Sequence, residues 1–123
     1  MPKRIALVGH CGPDASYLLI NVRRAVADAQ VVLVDDEVDL AKHLESGVDL
    51  LLINRELNYG FSESMGVDLI RSLRPAHPHV KMMLVSNYSE AHEAAVKAGA
   101  MPGFGKRELG TPRVVELLRG ALN

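Results

Sequence analysis

The chain has a single cysteine, Cys11, among 123 residues, which excludes an internal disulfide and, without further thiols, a cysteine-rich zinc site. It has no surplus of charge either. Fourteen Lys plus Arg stand against fifteen Asp plus Glu, a formal net charge of −1, so no global basic field argues for nucleic acid and no acidic tail argues for a solvating segment. Long hydrophobic runs are missing as well. The start, Met-Pro-Lys-Arg followed by Ile5-Ala6-Leu7-Val8, has too short an apolar part for a signal-peptide core or a membrane span, and the cytoplasm is the expected location. No linker, repeat or low-complexity stretch divides the chain. At 48% hydrophobic and 24% charged, it is long enough for one well-buried core and too short for two ordinary domains, so residues 1–123 are expected to form a single domain.

What is present is a regular alternation. Apolar strand-like runs occur at Ile5 to Val8, Val31 to Val34, Leu50 to Ile53 and Lys81 to Val85, with a weaker one at Met101 to Phe104. Leu50-Leu51-Leu52-Ile53 leaves no polar face, as a strand covered by helices on both sides requires, and Asn54 emerges at its C-terminal end. Helical patterns separate the runs. Gly12-Pro13-Asp14 opens the first, with Leu18, Val22 and Val26 at helical spacing. Asp36 opens the second, which carries Leu40, Ala41 and Leu44 and stops at Gly47. The third is expected from Ser62, with Met65, Leu69, Ile70 and Leu73, ending before Pro75. The fourth runs from Ser89 to Gly99 and is expected to bury Ala91, Ala94, Ala95 and Ala98. The last starts at Thr111-Pro112 and places Val115, Leu118 and Leu122 on one face. Five strands alternating with five helices predict a (βα)5 flavodoxin-like three-layer sandwich with a parallel sheet in order 2-1-3-4-5 and right-handed crossovers. Ligands of such sheets sit at the carboxyl ends of the strands, which gives Asn54 its weight.

Several local signatures are similar to those of response-regulator receiver domains, over essentially the full length. Val48-Asp49-Leu50-Leu51-Leu52-Ile53 resembles the third strand of that family. Ser86 falls at the hydroxyl position ending the fourth, and Ala98-Gly99-Ala100 followed by Gly103-Phe104-Gly105-Lys106 resembles the approach to its lysine. Leu57 and Met65-Gly66 also match. Val34-Asp35-Asp36-Glu37 looks like the acidic pair of the family's first strand but lies too close to Asn54 in sequence, so Asp35 and Asp36 are read as a strand end and a helix cap. The corresponding positions are Gly9 and His10.

The departures bear on chemistry. The resemblance implies an aspartate ending the third strand that accepts a phosphoryl group, and two acids after the first strand that hold Mg²⁺. Here those positions are Asn54, Gly9 and His10. An amide nitrogen is a poor nucleophile because its lone pair is delocalised, glycine supplies no ligand, and imidazole suits a hard cation poorly. Gly103 stands three residues before Lys106, where the family commonly has a switching aromatic, and Arg107 replaces a following proline. The pattern resembles the atypical or pseudo-receivers, which implies a phosphorylation-independent signalling or protein-interaction module. No enzyme activity, metal or other cofactor is expected. A protein partner is expected, with the face between the fourth and fifth helices as a possible homodimer surface, and neither nucleic acid nor membrane.

The alternative is a small-ligand or anion sensor built from the Gly9 to Asp14 loop with Asn54, Ser86 and Lys106. Within that loop Cys11, Gly12 and Asp14 are candidate contacts, since glycines admit a ligand to the backbone and helix N-terminal amides favour negative charge. An ordinary strand-to-helix turn explains the same residues, and the spacing lacks a full nucleotide fingerprint. His10 is expected to be neutral and hydrogen-bonded near Asn54, with Lys106 opposing its protonation. Cys11 is expected to be a small buried packing residue in preference to a reactive thiol. Met82-Met83 reads as strand core, and Arg71 with Arg74 as a solvated helix face.

Overall fold

The apolar runs are strands: β1 (Arg4–Val8), β2 (Gln30–Val34), β3 (Leu50–Asn54), β4 (Lys81–Val85) and β5 (Met101–Phe104). The computed structural model describes residues 2–123. Between the strands lie α1 (Gly12–Ala25), α2 (Glu37–Ser46), α3 (Gly66–Leu73) and α4 (Ser89–Lys97), and α5 (Pro112–Leu122) closes the chain. The sheet is parallel in the order β2-β1-β3-β4-β5, the flavodoxin-like arrangement expected from the alternation. Alternate residues of each inner strand face opposite layers. Ile5, Leu7, Leu50, Leu52, Met83 and Phe104 pack under α1 and α5. Ala6, Val8, Leu51, Ile53, Met82 and Leu84 pack under α2, α3 and α4. Such two-sided burial is why these strands read as unbroken apolar runs.

The helix ends follow local chemistry. The Asp36 carboxylate accepts from Asp39 N at 2.8 Å and caps α2, which stops at Gly47 with φ +106°. The third helix starts at Gly66 instead of Ser62. Residues before it are committed to another structure: Glu56 bridges Met65 in antiparallel fashion and Leu57 N donates to Ser64 O at 2.9 Å. Ser62 itself is tied to the α2 carboxylate of Glu37, through its N–H at 2.5 Å and its hydroxyl at 2.9 Å. Of the four alanines of the fourth helical segment only Ala95 is fully buried. On α5 the buried face is Val114, Leu118, Ala121 and Leu122, with Val115 half-buried at its side. Thr111 does not cap α5 with its side chain; its hydroxyl donates to Glu108 O at 2.6 Å.

One further correction concerns Arg74, while β5 has its expected bounds and contains a bulge. Arg71 is exposed and pairs with Asp68 at 2.7 Å. Arg74 is no solvated residue: its guanidinium donates to the carbonyls of Gly99, His77 and Val80 at 3.0, 2.5 and 2.6 Å, tying together the segments after α3 and after α4. In β5, Met101 pairs with Met83 and Phe104 with Val85, so three steps on β5 match two on β4. Pro102 and Gly103 hold the extra residue of this bulge. A Cβ on Gly103 would collide with the Leu84 carbonyl oxygen. Glycine at 103 is therefore required by the backbone approach, whatever the fate of the aromatic that the family resemblance places there. No helix of the described residues is long and apolar enough to cross a membrane.

Candidate functional site

The carboxyl ends of β1, β3, β4 and β5 bring Gly9, His10, Asn54, Ser86 and Lys106 to one edge of the sheet. Asn54 sits at the end of β3, half-buried, and its Nδ2 donates to Gly9 O at 3.1 Å and to Glu56 O at 3.0 Å. Both neighbours are carbonyl oxygens and only accept, which sets the orientation of the amide. Residue 54 thus ties the end of β1 to the loop leaving β3. An ionised aspartate would aim a carboxylate at the same two acceptors.

Gly9 has φ +75° and donates its N–H to Val34 O at 2.9 Å. A Cβ there would lie 2.6 Å from Leu57 Cδ2 and 3.9 Å from Phe61, whose ring is buried at 6% exposure. Leu57 therefore occupies the space into which a side chain of residue 9 would extend. The hairpin of residues 56–65 carries Leu57 and Phe61 to this place and is held there by Glu37, which bonds Ser62 and whose N–H donates to Gly60 O at 3.0 Å.

His10 is buried, with 7% exposure, and its Nε2–H donates to Leu52 O at 2.8 Å. A carbonyl accepts only, so the proton is on Nε2; Nδ1 is buried without a partner among the described residues. The pKa of His10 lies below its ordinary value of 6.5, and burial is the largest cause; the Leu52 bond opposes the shift and Lys106 adds a smaller lowering. The neutral imidazole expected from Lys106 owes more to desolvation than to that cation.

These positions do not fit the Mg²⁺ that the fold family implies. One would-be ligand has no side chain and is overlaid by Leu57, and the other has spent its ring N–H on a backbone carbonyl and turned its second nitrogen into a buried environment. No group of three or more His, Cys, Asp or Glu among the described residues could hold a metal ion.

Ser86 and Lys106 face a cleft of about 180 Å³, lined also by Asn54, Arg55, Asn87 and Tyr88. Ser86 is buried, and its Oγ accepts from Tyr88 N at 3.1 Å. Arg55 lies over the Tyr88 ring at 4.6 Å from its centroid and pairs with Glu56 at 2.8 Å, forming the outer wall. Lys106 is not free: its Nζ pairs with Asp14 Oδ2 at 2.6 Å, joining the end of β5 to the first turn of α1. Asp14 has its pKa lowered, first by the hydrogen bond from Lys106 and then by one from Cys11. Cys11 precedes α1 as its N-cap and is exposed, not a buried packing residue. Cys11, Gly12 and Asp14 do not line the cleft; the loop meets it through the Lys106 to Asp14 pair and through the Asn54 bond to Gly9 O. The buried Asn21 on α1, which accepts from Gly110 N at 2.8 Å, was invisible as a structural polar residue because it sits within an ordinary helical pattern.

Behind the cleft, His92 of α4 donates from Nε2 to Ser86 O at 2.6 Å. The same histidine lines a groove of about 560 Å³ among α4, β5 and α5, together with Glu93, Val96, Pro102, Gly103 and Arg113.

No protein-family model matches the chain, and no curated protein does. Solved structures do. A putative response regulator from Chloroflexus aurantiacus J-10-fl superposes with TM-score 0.82 at 19% identity, over 99% of this chain and 98% of that one. The signal receiver domain of a DNA binding response regulator protein (merR) from Colwellia psychrerythraea 34H gives 0.76 at 15% identity, covering 96% of each. The beryllofluoride-activated NtrC4 receiver domain dimer gives 0.78 at 12% identity, over 97% of this chain and 95% of that one. At such identities what is shared is the receiver fold.

Proposed function

We propose that this chain is a receiver-type module of two-component signalling that works without phosphorylation, is not an enzyme, and acts through contacts with a protein partner. The observation that carries the reading is the bonding of Asn54. A group that donates two hydrogen bonds into backbone carbonyls at 3.1 and 3.0 Å is serving as a clamp, where phosphoryl transfer needs an electron-rich oxygen turned toward the donor. Leu57 over Gly9 and the bonded, neutral His10 remove the ionic surroundings of such a reaction as well. The face for contacts is the α4, β5 and α5 groove, where Val96 is 45% exposed and lies beside Pro102 and Gly103. It suits a protein partner or a second copy of this chain.

The test is incubation with a small phosphodonor and Mg²⁺, and separately with beryllofluoride. Unchanged intact mass and unchanged amide spectra are expected; covalent phosphate, or shifts centred on residue 54, would overturn the reading. A second reading is favoured by the cleft itself, where Ser86, Asn87 and Lys106 surround open space. A non-covalent anion held there would raise the melting temperature in a panel of phosphates, nucleotides and carboxylates, because a ligand that binds only the folded state stabilises it. No stabilisation by any member would remove that reading.

A further inference from the structure

We infer that the groove between α2 and α3 is a second docking site, shaped for an amphipathic helix of a protein partner that carries basic residues beside its apolar stripe. The two helical layers are closed to different degrees. On one side α1 packs directly on α5, with Asn21 receiving Gly110 N and Arg119 Nε donating to Ala25 O at 3.0 Å. On the other side α3 packs on α4, and α2 stands apart from α3 across a groove of about 450 Å³. Leu40 and Leu69, both nearly fully buried, form its floor; Leu44 and Leu73, half-buried, form its walls.

The apolar strip does not stop at the groove. Ala41 lines it and is exposed, and Val38, one turn earlier on α2 and therefore its neighbour on the helix surface, is 67% exposed. An apolar trough bordered by an exposed apolar crest is the surface that a helix lays its own stripe into. The groove runs beside the ten residues of α2, about 15 Å, which a helix of about three turns matches.

Charge selects the partner. Glu37 and Glu45 line the groove, eight residues and so about 12 Å apart along α2, and no Lys or Arg lines it. The segments around it carry a surplus of acids. From Gln30 to Ser46 and from Glu56 to Arg74 the chain has Asp35, Asp36, Glu37, Asp39, Glu45, Glu56, Glu63 and Asp68 against Lys42, Arg71 and Arg74, although the whole protein has a formal net charge of only −1. The field over the groove is therefore negative, which steers a basic segment in and rejects an acidic one. This inference is independent of the state of Asn54 and of the α4 face.

The probe is a synthetic helical peptide of about 14 residues with leucines at i, i+3, i+4 and i+7 and lysines on both flanks, titrated against the full chain by fluorescence anisotropy. Two controls are a scrambled peptide of the same composition and a version with glutamate in place of lysine. Binding with Kd on the order of 10 μM is expected for the basic peptide alone. Leu44→Asp should weaken it at least about tenfold, and Glu45→Lys should weaken the basic peptide and admit the acidic one. Tyr17→Asp, at an exposed position on α1 across the sheet, should leave peptide binding unchanged. Should Leu44→Asp unfold the chain, the Glu45→Lys charge reversal and amide shifts confined to α2 and α3 carry the test. No binding by the basic peptide, equal binding of the scrambled one, indifference to Glu45→Lys, or shifts mapping to α4 and α5 would each overturn the proposal.

Discussion

The carboxyl edge of the sheet is two half-sites of different character. Around β1 and β3 it is plugged: Leu57 fills the space above Gly9, His10 is bonded to Leu52 O, and Asn54 spends its N–H groups on two carbonyls. Around β4 and β5 it is open and polar, with Ser86, Asn87 and Lys106 about a cleft and Lys106 held by Asp14. One half of the edge is thus closed by packing and backbone hydrogen bonds, and the other keeps polar side chains facing solvent. Each of the three positions is engaged by a neighbouring segment, so the plugged half contributes to holding the fold together.

Reversing the clamp is the sharpest way to break this contrast. Asn54→Asp should cost about 3 kcal/mol near neutral pH, because two donated bonds become repulsions between a carboxylate and carbonyl oxygens. The variant is expected to remain unphosphorylated. Its deficit should shrink in acid, since the protonated carboxyl regains one donor and repulsion raises the pH at which that occurs. Urea melts across pH, with mass spectrometry after phosphodonor treatment, check both statements; a stable, phosphorylated Asn54→Asp chain would show that the plugged half had kept its chemistry.

A smaller effect tests the buried imidazole. The pKa of His10 is lowered in the fold, so the unfolded chain takes up the proton first. The stability due to the neutral ring is fully present above the unfolded value, about 6.5, and declines as pH falls below it toward the folded pKa. Replacing His10 with Gln, which can still donate to Leu52 O, should flatten the stability profile just below about pH 6.5. A profile as steep as the parent's would assign the slope to another group. Asp14, also lowered, adds its own loss only below its ordinary 3.8.

The smallest effect belongs to the open half. Lys106 and Asp14 are each about one-third exposed, at 32%, so Lys106→Ala should cost less than about 1 kcal/mol after solvent screening. The Asp14 pKa should rise toward its ordinary value, as an NMR titration would report. A cost equal to that of Asn54→Asp would erase the distinction between the halves.

The order of elements was legible because apolar runs and caps are local. Leu50 to Ile53 could only be a covered strand, and Asp36 announced α2 by its own side chain. The candidate site was legible at the positions where a residue type is missing: Asn54, Gly9 and His10. The contacts these residues make were not. The hairpin that carries Leu57 to Gly9 hid within a long connection, because its anchors are the distant Glu37 and the bridge from Glu56 to Met65. Arg74 read as a surface cation because nothing local marks the three carbonyls that converge on it. Ala91, Ala94 and Ala98 suggested burial that only Ala95 achieves fully, because small side chains permit close packing without requiring it.

By itself, then, the sequence determined the strand and helix alternation, the two-sided core and the absence of acids at positions 9, 10 and 54, since each rests on residue type and short-range spacing. Tertiary structure alone decided that Asn54 is a clamp, that Leu57 takes the place of a side chain at Gly9, that Lys106 answers to Asp14, and that α2 stands off from α3. Those are pairings between segments far apart in the chain, and hydrogen bonding, packing and charge depend on distances that exist only once the sheet has assembled.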